Sequence, residues 1–227
     1  MKNSNADLSR LENRLGYVFN DIALLKKALT HRSKSKNNNE RLEFLGDALL
    51  ETILSDRLFH SRPNACEGDL TRLRSTMVRG ATLAMLANDL GLKDFIQVGS
   101  GELRTGGYQR ESTLADAFEA IVAAIYLDSK SFDVTFSIVI KLYQEKLIEL
   151  PDAQQLKDPK TRLQEYLQSH GLAKPGYEQL SVQGPDHDKR FEVNCTVGKN
   201  TTTASASSKK KAEQAAAEAM LSTLGIK

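Results

Sequence analysis

Acidic residues recur at helical spacing in residues 39–50, which read NERLEFLGDALL. Glu40, Glu43 and Asp47 stand at positions i, i+3 and i+7, so a helix places all three on one face. Like charges at this spacing destabilise a helix slightly, and the neighbouring side chains are mostly apolar rather than basic. The pattern therefore indicates that a cation from elsewhere compensates this acidic face.

A second acidic pair, Asp116 and Glu119, lies in residues 114–127, LADAFEAIVAAIYL. This helix is apolar around its circumference, which predicts that it is central in its domain. Carboxylates on a buried helix must be paired or bind a metal, because an unpaired buried charge is very costly. If the two acidic helices pack face to face, four carboxylates converge. Such oxygen ligands suit Mg²⁺, so the sequence predicts metal-assisted phosphoryl chemistry.

An ordinary salt-bridge network is the alternative, in which Arg41, Arg72 or Arg74 pairs with these acids. Glu67 stands at the entry of another helix, where the helix dipole alone accounts for an acid. The net charge is only +2, but bases are clustered and able to hold a polyanion. The basic clusters are Lys26, Lys27, Arg32, Lys34 and Lys36, and then Lys209, Lys210 and Lys211.

The composition is that of an ordinary globular protein, with 40% hydrophobic and 26% charged residues. The longest apolar run, residues 121–127, is far shorter than the roughly 18 residues of a spanning helix. We therefore expect no membrane association. The two cysteines, Cys66 and Cys195, lie in unrelated contexts that predict neither a disulfide framework nor a zinc site. A cytoplasmic location fits best.

The elements that position these residues form a multidomain chain. Apolar residues recur at helical spacing up to about residue 150, and turn signals divide them into about seven helices, which predicts an all-α domain over residues 5–150. Residues 151–158 are polar and bracketed by prolines, so they are expected to be a linker.

A small α+β domain with the order α-β-β-β-α is predicted over residues 159–226. A helix pattern runs over 161–169, and strand patterns follow over 177–183, 191–197 and 201–207. The closing helix over 210–224 is rich in alanine and begins after Ser207 or Ser208 as its cap. This order predicts two helices on one face of an antiparallel sheet.

Residues 39–47, NERLEFLGD, closely resemble the signature of the ribonuclease III family. Residues 29–33, 106–112 and 114–120 resemble the other motifs of that family, in the same order. The C-terminal α-β-β-β-α unit resembles the double-stranded RNA-binding domain of the family. The resemblance covers nearly the whole chain and implies an all-α endonuclease domain followed by this RNA-binding domain.

The resemblance also implies roles for individual residues. The metal-binding carboxylates are expected to be Glu43, Asp47, Asp116 and Glu119. The acids that serve at the cleavage site are expected to be Asp47, Glu119, Glu40 and Glu67, so the resemblance replaces the dipole explanation of Glu67. Phe44 matches the aromatic residue at the homodimer interface of the family, and the alternative is a core Phe within its own protomer.

A Mg²⁺-dependent endoribonuclease acting on double-stranded RNA is thus the expected function, with Mn²⁺ as a substitute metal and no organic cofactor. The family resemblance implies 5′-phosphate ends with short 3′ overhangs, and roles in ribosomal RNA precursor processing and in turnover of structured RNA. The alternatives are a double-stranded RNA-binding regulator that does not cleave, and an acidic helical bundle that binds metal as a structural element.

Residues suited to an RNA duplex occur in the C-terminal unit. Thr161, Gln164 and Glu165 stand at i, i+3 and i+4, where they form a polar face suited to 2′-hydroxyls. By resemblance they match the minor-groove residues of the family, and so does His187 in the turn after the first strand. Lys209, Lys210 and Lys211 at a helix N-terminus suit phosphates. Ala204, Ala206 and Glu213 depart from the family pattern, which predicts weaker binding.

Overall fold

The computed structural model describes residues 5–185 and 188–226. The chain divides after Pro151 into two compact units, each with its own secondary structure. Among the described residues, no helix has both the length and the apolar character needed to span a membrane.

The first unit is all-α, as the sequence predicts, and its described residues form nine helices rather than about seven. The two shortest α-helices have five residues each, which is too few turns to produce an apolar periodicity in the sequence. The helices are α1 (Asn5–Leu15), α2 (Ile22–Ala28), α3 (Glu40–Ser61), α4 (Glu67–Val78), α5 (Gly80–Asp89), α6 (Ser100–Arg104), α7 (Glu111–Ser129), α8 (Phe132–Leu142) and α9 (Gln144–Ile148).

Helix α7 is the centre of the first unit. Eleven of its 19 residues are buried, which agrees with the all-round apolar pattern of its sequence. Helices α2, α3, α5 and α8 pack against it. At its C-terminal end Asp128 accepts hydrogen bonds from the Tyr17 hydroxyl at 2.6 Å and from the Asp21 backbone N–H at 2.7 Å, so the α1–α2 connection is fixed to α7.

Helices α3 and α7 are in close contact at Gly46. A Cβ atom added to Gly46 would overlap the backbone carbonyl oxygen of Glu119, so only glycine fits at this crossing. The crossing determines which side chains meet, because Glu43 lies one turn before Gly46 on α3 and Glu119 lies at the contact on α7.

The second unit has the predicted α-β-β-β-α order. The sheet is antiparallel with its three strands in chain order, and the core of the unit contains Leu163, Leu167, Cys195 and Met220. Ser208, one of the two predicted caps, accepts a hydrogen bond from the Lys211 backbone N–H at the start of the last helix. The elements are α10 (Pro159–Ser169), β1 (Gly176–Gln183), β2 (Arg190–Val197), β3 (Asn200–Ala206) and α11 (Lys209–Thr223).

Replacement of Gly46 by alanine is expected to destabilise the first unit by about 1–3 kcal/mol, because the added methyl group must push α3 away from α7. Urea denaturation followed by circular dichroism measures the loss. Gly101→Ala is the matched control, since a Cβ atom at Gly101 meets nothing within 4 Å. Equal stabilities of the Gly46→Ala and Gly101→Ala variants would contradict the close helix crossing.

Candidate functional site

Helices α3 and α7 bring three carboxylates together. One carboxylate oxygen from each of Glu43, Asp116 and Glu119 lies within 4.8 Å of the others, and all three residues are half-buried. The i, i+3 spacing on α7 places Asp116 and Glu119 on one face, and the crossing at Gly46 brings Glu43 to that face. Three oxygen donors that converge in this way fit a hard divalent cation.

The electrostatics of this acidic cluster, Glu43, Asp116 and Glu119, favour the uncharged form of each carboxyl group. Burial, followed by the charges of Asp47, Asp116 and Glu43, raises the pKa of Glu119 to about 8. Burial also raises the pKa values of Glu43 and Asp116, although the charges of His31 and Arg32 oppose the rise at Asp116. A cation bound among these groups would offset both the burial and the mutual repulsion.

Asp47 lies at the edge of this cluster. It is exposed on α3, one turn after Glu43, and it is not among the three residues whose oxygens converge. Among the neighbouring charges, that of Asp47 nevertheless contributes most to the raised pKa of Glu119. The structure therefore brings together three of the four predicted metal ligands and places the fourth beside them.

Two members of the cluster line a cleft of about 660 Å³ that contains both acidic and basic side chains. Glu43 and Asp116 line the cleft together with Glu40, whose carboxylate lies 3.6 Å from the Arg32 guanidinium. Arg110 also lines it. Cationic side chains next to a cation-binding acidic cluster are suited to hold a phosphate group.

Two loops that border the cleft are fixed to each other by hydrogen bonds. The His31 backbone N–H donates to the Gln97 carbonyl at 2.9 Å, and the Gly99 N–H donates to the Ser33 hydroxyl at 2.9 Å. These contacts hold the loop between α2 and α3, which places His31 and Arg32 at the cleft.

Glu102 is a cleft residue that the sequence analysis did not identify. Its carboxylate lies 3.3 Å from Arg110, and a Cβ atom added to Gly107 would overlap it. The carboxylate therefore lies close against Gly107 and pairs with Arg110, whose side chain is 57% exposed. The sequence signal was the Gly-Gly pair itself, which is typical of a close approach by another group.

The alternative salt-bridge network is not supported. Arg72 pairs with Asp69 at 2.6 Å, and Arg74 donates to the Ser55 hydroxyl at 2.9 Å. Over residues 5–185 and 188–226, no basic side chain forms an ion pair with a member of the acidic cluster.

Glu67 lies apart from the cluster, as the first residue of α4. Its carboxylate accepts a hydrogen bond from the Thr71 hydroxyl at 2.9 Å and lines a separate groove of about 760 Å³. This groove, called the α3–α4 groove below, is mainly apolar and includes Phe59 and Leu70. Phe44 is 80% exposed on α3, so the alternative that it belongs to the core of its own protomer is wrong.

The predicted RNA-binding residues lie on two helices of the second unit. On α10 the Thr161 hydroxyl donates to Asp158 at 2.5 Å, Glu165 accepts a hydrogen bond from Lys157, and Gln164 is exposed. The remaining predicted residue, His187, lies outside the described residues. The three lysines are exposed in the first turn of α11: Lys209, Lys210 and Lys211.

Comparisons with known families divide the chain in the same way. The family model described as "Ribonuclease-III-like" matches residues 21–147, and the model described as "Double-stranded RNA binding motif" matches residues 159–224. Ribonuclease 3 from Haemophilus influenzae strain PittEE is 50% identical over 225 residues, covering 97% of this chain and 99% of its own length. Ribonuclease 3 from Shewanella frigidimarina is 48% identical, with coverage of 96% and 97%.

Solved structures resemble the first unit. The nuclease domain of ribonuclease III from Campylobacter jejuni, solved at 2.2 Å resolution, is 41% identical with a TM-score of 0.61. The match covers 66% of this chain and 100% of that domain. A second structure of that domain, described as showing flexibility in a region involved in dimer formation, is 43% identical with a TM-score of 0.59 and coverage of 61% and 96%.

The raised pKa of Glu119 predicts a pH-dependent stability of the metal-free protein. The neutral carboxyl favours folding below its ordinary pKa of 4.5, and this contribution is lost as the pH rises to about 8. In Glu119→Gln the group stays neutral, so the loss over this range becomes smaller. Urea unfolding in the presence of chelator at several pH values measures this loss of stability. In the control Glu111→Gln, at an exposed position of α7, the free energy of unfolding is expected to fall with pH as in the wild type. If it also falls as in the wild type in Glu119→Gln, the raised pKa of Glu119 is contradicted.

Proposed function

The chain belongs to the ribonuclease III family, and from that premise we propose that it is a Mg²⁺-dependent endoribonuclease that hydrolyses the phosphodiester bonds of double-stranded RNA. The observation that carries the proposal is the convergence of Glu43, Asp116 and Glu119 beside a cleft that Glu43 and Asp116 line together with two arginines. The second unit supports the choice of substrate, because it matches the double-stranded RNA-binding family model.

The acidic cluster fits Mg²⁺, with Mn²⁺ as a substitute, since all its donors are carboxylate oxygens. Glu43, Asp116 and Glu119 would hold the ion, and Asp47 would contribute from the edge of the cluster. When bound, the ion lowers the pKa of a coordinated water and neutralises charge that develops on the phosphate oxygens.

The remaining cleft residues orient the RNA strand. Arg32 and Arg110 are placed to hold non-bridging phosphate oxygens, and the carboxylate of Glu102 limits the conformations of Arg110. We assign Glu40 to the cleavage site because it lines the same cleft as Glu43 and Asp116. Its negative charge repels phosphate, so its suitable partners there are a water molecule or a sugar hydroxyl.

Duplex RNA is recognised through its shape, because the bases of A-form RNA lie in a narrow major groove. We propose that Thr161, Gln164 and Glu165 contact 2′-hydroxyls in the minor groove, and that Lys209, Lys210 and Lys211 contact phosphates across the adjacent major groove. The exposure of the three lysines and of Gln164 supports this assignment. The minor-groove role of His187 stays a prediction from the sequence.

A homodimer accounts for Phe44 and Glu67 together. An aromatic side chain that is 80% exposed is costly to leave in water, and the α3–α4 groove offers an apolar site of suitable size. Phe44 directly follows Glu43 in the chain. If the partner subunit's Phe44 occupies this groove, Glu67 lies near the partner's Glu43 and can serve at that cleavage site. The dimer formation described for the Campylobacter jejuni nuclease domain supports a dimer, without locating its interface.

Two cleavage sites in one dimer would cut opposite strands, giving 5′-phosphate ends with short 3′ overhangs. Processing of ribosomal RNA precursors, turnover of structured RNA and a cytoplasmic location stay predictions. The competing function is a regulator that binds duplex RNA without cleaving it. All four predicted metal ligands are present in the chain, which favours the enzyme.

Glu119→Gln is expected to lower the rate of duplex cleavage by more than about 100-fold, because it removes one charged ligand from the cluster. Duplex affinity, measured in chelator, should stay within about twofold of wild type, because the RNA-binding unit is unchanged. The control Glu111→Gln is expected to keep both the cleavage rate and the duplex affinity of the wild type. Cleavage by Glu119→Gln at saturating Mg²⁺ with the wild-type rate would refute the metal-site assignment.

Phe44→Ala is expected to weaken self-association by at least about 30-fold, as for the loss of a buried aromatic anchor. Sedimentation velocity over a range of protein concentrations measures the change. Ile148→Ala is the matched control, since Ile148 is also strongly exposed, at 76%, but lies on α9. Identical sedimentation of the wild type and Phe44→Ala would exclude Phe44 from the interface.

A further inference from the structure

Lys160, in the first turn of α10, contacts two other elements of the second unit. Its Nζ atom lies 2.7 Å from a carboxylate oxygen of Glu213 on α11. The same atom lies 4.4 Å from the ring centroid of Tyr177 on β1, a distance that allows a cation–π interaction. One lysine therefore joins the start of α10, the sheet and the first turns of α11.

This contact is shorter than the other ion pair between α10 and α11, and its acid is more shielded from water. The Lys160–Glu213 distance is 2.7 Å, and the two side chains are 34% and 16% exposed. In the other pair Arg162 lies 3.3 Å from Glu218, and the two side chains are 18% and 53% exposed. An ion pair that is partly withdrawn from water is less screened, so the Lys160–Glu213 pair restrains the two helices more strongly.

The contact lies between the two proposed RNA-binding surfaces. Lys160 directly precedes Thr161, and the backbone N–H groups of both residues donate to the capping carboxylate of Asp158. Glu213 stands two residues after Lys211. The Lys160–Glu213 pair thus links the start of the proposed minor-groove helix to the start of the lysine-bearing helix.

We propose that Lys160 and Glu213 are positioning residues that set the spacing between the minor-groove face of α10 and the phosphate-binding lysines of α11. This inference rests on the proposed function of the second unit. In an A-form duplex the distance between the minor groove and the phosphates across the major groove is fixed, so a rigid spacing selects duplex over single strands. The charge of Glu213, an acid near three phosphate-binding lysines, by itself opposes RNA binding. The contact with Lys160 explains why an acid is present at this position.

The test compares duplex and single-stranded RNA binding by the full chain in chelator, where no cleavage occurs. We expect Glu213→Gln and Lys160→Gln each to weaken duplex binding about fivefold while single-strand binding stays within about twofold. An effect of charge alone has the opposite sign for Glu213→Gln, because the removal of an acid would then tighten the binding of both RNAs. Unchanged or tighter duplex binding by Glu213→Gln would overturn the inference.

The salt dependence of binding separates positioning from direct phosphate contact. If Lys160 acts through its contact with Glu213, the slope of log affinity against log salt is the same in the wild type and in Lys160→Gln. A direct phosphate contact would reduce the magnitude of this slope by about one and would overturn the inference.

Two further variants serve as controls. Glu218→Gln makes the same charge change on α11 and is expected to leave the preference for duplex unchanged. Lys160→Arg keeps a cation beside Glu213 and is expected to retain the preference for duplex over single-stranded RNA. Loss of this preference in Lys160→Arg would contradict the role of the Lys160–Glu213 pair. If circular dichroism shows that Glu213→Gln does not fold, the binding data for Lys160→Gln and Lys160→Arg test the inference instead. A wild-type chain that binds no duplex would contradict the proposed function itself.

Discussion

The close contact between α3 and α7 is the constraint on which the site depends. Gly46 allows the two backbones to touch, and the contact holds Glu43 near Asp116 and Glu119 although all three are acidic and half-buried. Burial and mutual repulsion raise the pKa of Glu119 to about 8, so the arrangement is electrostatically unfavourable without a cation. Hydrophobic burial along α7 supplies the stability that keeps these carboxylates in place. A fold that maintains such a cluster is prepared to bind a divalent cation.

The second unit matches a double-stranded RNA-binding family model, and its role in the proposed function is to recognise the substrate. Its core is small, and its polar side chains are displayed on α10 and at the start of α11. Recognition of a regular duplex requires fixed spacing more than specific base contacts, which gives the Lys160–Glu213 pair its importance. In the proposed function the two units therefore have separate roles: the first would bind the cation that hydrolysis needs, and the second would recognise the duplex.

Much of this organisation follows from local sequence patterns. The all-round apolar pattern identified α7 as central, the i, i+3 spacing placed Asp116 and Glu119 on one face, and strict alternation identified the middle strand over residues 191–197. Features that depend on tertiary contacts could not be predicted in this way. Helical spacing predicted that Asp47 shares a helix face with Glu43, but not that it lies at the edge of the cluster. The Gly106–Gly107 pair indicated a close approach by another group, but not that this group is Glu102. The pairing of Glu213 with Lys160 joins residues 53 positions apart, which is beyond the range of helical periodicity.

The most direct measurement is a gel assay of the purified chain with a labelled RNA duplex, its single-stranded counterpart and a DNA duplex of the same sequence, each with Mg²⁺ or with chelator. We expect cleavage of the RNA duplex in Mg²⁺, with no cleavage of the other substrates and none in chelator. That result would require both the acidic cluster and the duplex-recognising unit to work as described. A mobility shift of the RNA duplex without cleavage in Mg²⁺ would contradict the enzymatic function and favour a binding protein in which the acids are structural.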